Sequence, residues 1–108
     1  MALHEISFLI EPQEGYESIP VDWAHNGVVG SGDMELLMQK TDSAAVQVNI
    51  VTPVAGYDAI WEKVLRKFVA EARLGGVSIE INDNNSTPYV VATRLKQGLL
   101  EAKAGERE

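Results

Sequence analysis

The chain has 108 residues, 45% of them hydrophobic and 23% charged, which suits one domain spanning residues 1–108 with a core large enough to need no covalent staple. It has no cysteine, which excludes disulfides, thiolate metal sites and a thiol nucleophile of its own. A net charge of −7 argues against nucleic-acid partners, which need a basic face to displace the counterions of the phosphates.

In chain order, ISFLI (6–10) alternates apolar residues and reads as a short strand. The surrounding MALHEISFLIEPQ lacks a basic stretch before its apolar residues, and no run reaches membrane-spanning length, so the cytoplasm is the expected compartment and no membrane partner is expected. EPQEGYESIPVD (11–22), acidic and broken by two prolines and a glycine, predicts an irregular loop or arm. GVVGSGDMELL (27–37) then sets Ser31 between Gly30 and Gly32, just ahead of the alternation Met34, Leu36, Met38. AVQVNIV (45–51) alternates in the same way, and KTDS (40–43) between the two runs predicts a turn that pairs them as a hairpin.

Thr52-Pro53 offers a cap and a first-turn proline, and Tyr57, Trp61, Val64, Leu65, Phe68 and Ala72 recur at helical spacing up to Leu74, before Gly75-Gly76 stops the helix. VSIEIN (77–82) is a further strand. Thr87 as N-cap and Pro88 at the first helical position open a second helix with a stripe of Val91, Leu95, Leu99 and Ala102, and residues 104–108 are expected to fray. The fold class expected is α/β, a two-layer sandwich with a mixed sheet of about four strands and two helices, the strands at 45–51 and 77–82 running parallel.

The excess charge is uneven. Residues 1–52 hold one basic residue, Lys40, against eight acidic ones, while the rest of the chain balances. Negative charge therefore surrounds Ser31, a property that steers basic partners and equally one that keeps a small protein soluble. Asp33 and Glu35 follow Ser31 by two and four positions and, on a strand, would both face away from Met34, Leu36 and Met38, as candidate partner-facing carboxylates.

Several chemistries lack their required pattern. GVVGSG reverses the glycine order of the dinucleotide fingerprint, leads into a strand rather than a helix, and has no phosphate-binding lysine. A serine hydrolase needs a base beside its nucleophile, and only His4 and His25 are available. The strand-to-helix elbow is also missing, so both histidines read as ordinary surface or packing residues. No metal-ligating spacing occurs. Asn84 and Asn85 match the glycosylation sequon only formally and read as a polar turn before the last helix. Trp61 reads as core, whereas Trp23, beside the acidic arm, suits packing and a partner contact equally. On these residues alone Ser31 is either a turn filler or a point of attachment.

GVVGSGDMELL, INDNNSTPYVVATRLKQGLLEA and the helix VTPVAGYDAIWEKVLRKF together resemble the acyl carrier (delta) subunits of bacterial malonate decarboxylase, over roughly residues 25–104. A weaker similarity extends to the gamma (acyl carrier) subunit of citrate lyase. The resemblance implies that Ser31 carries 2′-(5″-phosphoribosyl)-3′-dephospho-coenzyme A through a phosphodiester, with Gly30 and Gly32 keeping access open. It implies acetyl and malonyl thioesters on the thiol of that group, which the cysteine-free chain does not itself provide. The implied partners are the acyltransferase and decarboxylase subunits of the complex, the prosthetic-group transferase and the malonyl transferase that loads the carrier; the chain itself would be non-catalytic. Asp42-Ser43-Ala44 echoes the Asp-Ser-Leu of ordinary carrier proteins, but Ser43 precedes a strand and is rejected as the attachment residue. The alternatives are a citrate-lyase-type carrier and a small binding or scaffold domain in which GSG is only a turn.

Overall fold

The computed structural model of the chain describes residues 3–27 and 32–105. Its elements run β1 (His4–Ile10), β2 (Trp23–Gly27), β3 (Asp33–Lys40), β4 (Val46–Thr52), α1 (Asp58–Ala72), β5 (Val77–Asn84) and α2 (Pro88–Gly105). The strands form one mixed sheet in the order β1-β4-β5-β3-β2, antiparallel throughout except for the β4–β5 pair. The two-layer α/β sandwich is as expected, with five strands where about four were expected. The added strand is β2, WAHNG, whose five residues are too few and too polar to show an alternating pattern.

Period-two alternation puts Met34, Leu36 and Met38 of β3, Val46, Val48 and Ile50 of β4, and Val77, Ile79 and Ile81 of β5 on one buried face. Trp61, Leu65, Phe68 and Val69 of α1, with Val91, Leu95 and Ala102 of α2, close over that face. Gly98 permits the closest approach: a Cβ there would sit 2.6 Å from the Leu36 Cδ2 atom, so α2 lies against β3 at a distance that a side chain would prevent. No helix covers the other face, which carries Glu35, Asn49, Glu80 and Asn82.

The predicted hairpin between the second and third alternating runs does not form. β5 inserts between β3 and β4, pairing antiparallel with the first and parallel with the second. The turn at 41–44 arches over the start of β5 instead, for the Thr41 N–H donates to the Gly76 carbonyl at 2.9 Å and the Gly76 N–H donates to the Ala44 carbonyl at 2.9 Å. Turn chemistry indicates where a chain reverses, but not whether a later strand, delivered by the α1 crossover, takes the vacant pairing edge.

Three element ends also differ from expectation. Thr52 closes β4 and its hydroxyl is used at Asp83, so α1 begins at Asp58, after Tyr57, and Pro53 lies outside it. Arg73 ends α1 in the left-handed conformation, φ 52°, with the Leu74 N–H returning to the Val69 carbonyl at 3.0 Å. Thr87 does cap α2, its Oγ1 accepting the Val90 N–H at 3.3 Å. Residues 104 and 105, expected to fray, are helical, because Ala102 is fully buried beneath the sheet and anchors the last turns; residues 106–108 lie outside the described residues.

The stretch 11–22 is irregular, as predicted, yet it is pinned to the end of α1. Ile19 is 1% exposed. The Glu17 N–H donates to the Arg73 carbonyl at 2.9 Å, the Gly75 N–H donates to the Glu17 carbonyl at 3.0 Å, and Arg73 Nη2 donates to the Glu14 carbonyl at 2.8 Å. Tyr16 lies against Gly75 where a Cβ would collide with its ring. The arm thus covers an end of the core that two glycines would otherwise leave bare.

Candidate attachment hairpin

β2 and β3 form an antiparallel hairpin in which Gly27 faces Glu35. Gly30 and Ser31, which lie between the two strands in sequence, are outside the described residues. The flanking glycines are described, and each has a reason to be glycine. Gly27 has φ +85°, and a Cβ there would lie 2.2 Å from the Met34 carbonyl oxygen. Gly32 has φ +75°, and among the described residues no atom lies within 4 Å of where its Cβ would be. The Gly32 N–H donates to the Asn84 carbonyl at 2.8 Å, placing the tip at the sheet edge where β5 ends and α2 begins.

Arg94 of α2, which sequence reasoning missed, fastens the base of the hairpin. Its Nε and Nη2 donate to the two Asp33 carboxylate oxygens at 3.0 and 2.6 Å, and its Nη1 donates to the Asn26 side-chain oxygen at 3.3 Å. One guanidinium therefore grips both strands immediately outside the glycines. The signal in the sequence was slight: an arginine about two turns beyond the N-cap, at a spacing of sixty-one residues from its partner. Arg94, and after it the Met34 amide donating to Oδ1, hold the Asp33 carboxyl below its ordinary pKa.

Asp33 and Glu35 do not share a face as the strand pattern had them. Asp33 is the first residue of β3, where its side chain is free to turn toward the helix layer and meet Arg94. Glu35 is on the uncovered face, accepting from the Asn82 amide at 3.2 Å and paired with His25 Nε2 at 3.1 Å. The hydrogen bond with His25 is the larger cause, and that with Asn82 the next, of a Glu35 pKa below the ordinary value. His4 is paired with Asp58 at 2.9 Å. Each histidine thus has a carboxylate partner on the surface.

Behind the tip, Asp83 organises the loop between β5 and α2. It is 6% exposed; its Oδ2 accepts from Thr52 Oγ1 at 2.8 Å and from the Asn85 N–H at 3.1 Å. Its Oδ1 accepts from the Ser86 N–H at 3.0 Å and from the Ser86 hydroxyl. This is the polar turn expected at Asn84-Asn85, and its carboxylate ties the ends of the two parallel strands together.

Ser43 lies in the turn after β3, at the opposite edge of the sheet from the tip. Trp23 stands 62% exposed on β2, and Trp61 is 7% exposed between the helices. Among the described residues no cluster of three His, Asp or Glu side chains could hold a metal ion, and no described helix is long and apolar enough to cross a membrane.

Comparison with known proteins agrees with this geometry. The model of the family described as malonate decarboxylase delta subunit (MdcD) matches residues 22–102. The chain is 48% identical over 110 residues to the malonate decarboxylase acyl carrier protein of Malonomonas rubra, covering 97% of this chain and 94% of that one. It is 44% identical over 75 residues to that of Burkholderia cepacia, covering 69% of each. A chain in the crystal structure of a Pseudomonas malonate decarboxylase hetero-tetramer in complex with malonate superposes with a TM-score of 0.72 at 28% identity, covering 94% of this chain and 99% of that one. With 81 of its residues inside the family match and the fold shared with a member of that assembly, the chain belongs to the malonate decarboxylase delta subunit family.

Proposed function

We propose that the chain is the non-catalytic acyl carrier subunit of a malonate decarboxylase complex, with Ser31 as the residue that carries 2′-(5″-phosphoribosyl)-3′-dephospho-coenzyme A. The observation that carries this reading is the hairpin itself. Its base is locked by Arg94, its two flanking glycines have positive φ, and no described residue crowds Gly32, which directly follows Ser31. A covalent handle needs only a hydroxyl at an accessible, well-anchored tip, and these residues fit that requirement.

When attached, the group supplies the thiol on which acetyl and malonyl thioesters are carried. The chain provides position. The two-layer body anchors the base of the hairpin against α2, and tethering keeps the acyl group at an effective concentration on the order of millimolar at each partner site. The partners proposed are the acyltransferase and decarboxylase subunits, the prosthetic-group transferase and the malonyl transferase that loads the carrier. A hetero-tetrameric assembly containing a chain of this fold supports a multi-subunit setting. Glu35, on the uncovered face, and Asp33, at the hairpin base, are the carboxylates proposed to meet basic partner surfaces.

The test is intact mass of the chain isolated from cells that contain its transferase. The reading expects a covalent nucleotide adduct on wild type and on Ser43→Ala, and bare polypeptide for Ser31→Ala with an unchanged melting temperature. Bare wild-type polypeptide within an active complex would favour a scaffold domain instead.

A further inference from the structure

A groove of about 380 Å³ opens between α1 and α2 at the same edge of the sheet as the hairpin tip. Its wall and floor are apolar: Val54, Ile60, Trp61, Val64 and Val91. Its rim is polar, formed by Asn85, Ser86 and Thr87. That rim begins one residue after Asn84, whose carbonyl holds the Gly32 N–H, so the groove and Gly32, directly after Ser31 in sequence, share a common anchor. Asp83 fixes the rim from below through Thr52, Asn85 and Ser86, which makes the opening a built feature of the fold rather than a gap between mobile helices. Tyr57 and Ile60 at its mouth remain 50% and 44% exposed, apolar surface that none of the described residues fully covers.

We infer that this groove is the resting seat of the distal end of the group carried on Ser31, both as the free thiol and as its acetyl thioester. The inference rests on the carrier reading above and adds to it a place for the arm between partner visits. Three observations select this occupant. The volume lies in the range of small-molecule sites, about 300–1,000 Å³. An apolar floor beneath a rim of amide and hydroxyl groups suits a small acyl chain joined to an amide-bearing arm. The occupant is already tethered at the rim, so little translational freedom remains to be lost on entry. Seated there, the thioester is removed from water, and a partner with a better site draws it out.

The absence of cysteine makes the inference measurable, because the thiol of the arm is the only one on the loaded protein. Trp61 is a second reporter, lying in the floor, and Trp23→Phe removes the exposed tryptophan that would mask it. The experiment loads the chain, verifies the adduct by intact mass, and measures the reaction of its thiol with a bulky disulfide reagent against free coenzyme A. It is repeated on Ile60→Glu, an exposed position, and on Val54→Phe, which fills the groove from its loop side. Trp61 emission is recorded with and without the acetyl group. The expected result is a wild-type thiol roughly threefold or more slower than coenzyme A, in proportion to the fraction of time it is seated. Both variants should react at the free rate, and acetylation should shift Trp61 emission in the Trp23→Phe protein but not after Ile60→Glu. A loaded chain whose thiol reacts as fast as coenzyme A, with Trp61 unmoved, overturns the groove inference while leaving the carrier reading intact. A chain that carries no adduct at all overturns both. Variants that weaken binding to a partner subunit without changing the thiol rate also overturn it, assigning the groove to protein docking.

Discussion

Asp33 and Arg94 face each other across the junction of β3 and α2 in a two-bond pair, Nε to Oδ1 at 3.0 Å and Nη2 to Oδ2 at 2.6 Å, with both side chains about three-quarters covered. The pair joins the base of the β2–β3 hairpin to α2. Neither Asp33→Asn nor Arg94→Gln should unfold the protein, since the core lies elsewhere. Each should lower the melting temperature, and the double variant should lower it by less than the two losses added, the signature of one shared interaction in a double-mutant cycle. Additive losses would show that the contact contributes nothing as a pair.

The same pair sets a direction for the acid limb of stability. Asp33 and Glu35 both titrate below their ordinary values in the folded chain, held down by Arg94 and by His25 with Asn82. Their contribution is therefore fully present above the ordinary carboxylate pKa, about 4, and is lost as pH falls through the lower folded values. Denaturant titrations between neutral pH and about pH 3 should show wild type losing more stability than Asp33→Asn with Glu35→Gln; parallel curves would count against it.

Gly27 and Gly32 separate two requirements that sequence reading merges. Gly32→Ala has open space and should cost only the left-handed backbone penalty, about 1–2 kcal/mol. Gly27→Ala adds a collision with the Met34 carbonyl and should cost more, about 2–4 kcal/mol, by urea midpoint. Equal costs would mean that the hairpin base can shift to accept a side chain.

Asp83→Ala leaves the buried Thr52 hydroxyl and the amides of Asn85 and Ser86 without their acceptor. The expected loss is about 2–3 kcal/mol by urea midpoint. An Asp83→Ala protein as stable as wild type would show that water replaces the carboxylate at no cost.

Glu35 is the better test of acidic recognition, because Asp33 is already neutralised by Arg94. Glu35→Gln should reduce the salt dependence of transferase kcat/KM, and Asp33→Asn should change it less. Identical salt slopes for wild type and Glu35→Gln would make the carboxylate simply solvated.

How much of this was legible in the residues differs from element to element. The alternation in MELLM, VQVNIV and VSIEI places the buried face of three strands, because period-two patterning is a local property that burial on one side imposes. Thr87-Pro88 and the stripe through Val91, Leu95 and Ala102 define α2 for the same reason. The order of strands was not legible. Whether β3 pairs with β4 or with β5 depends on which edge the α1 crossover delivers β5 to, a choice made by the packing of α1 and α2 on the whole sheet. Strand β2 was hidden because an edge strand of five residues, one of them buried, leaves almost no pattern. Arg94 was hidden because an ion pair spanning sixty-one residues has no local signature: its two halves meet only once β2, β3 and α2 are assembled, and it is that assembly which braces the base of the hairpin.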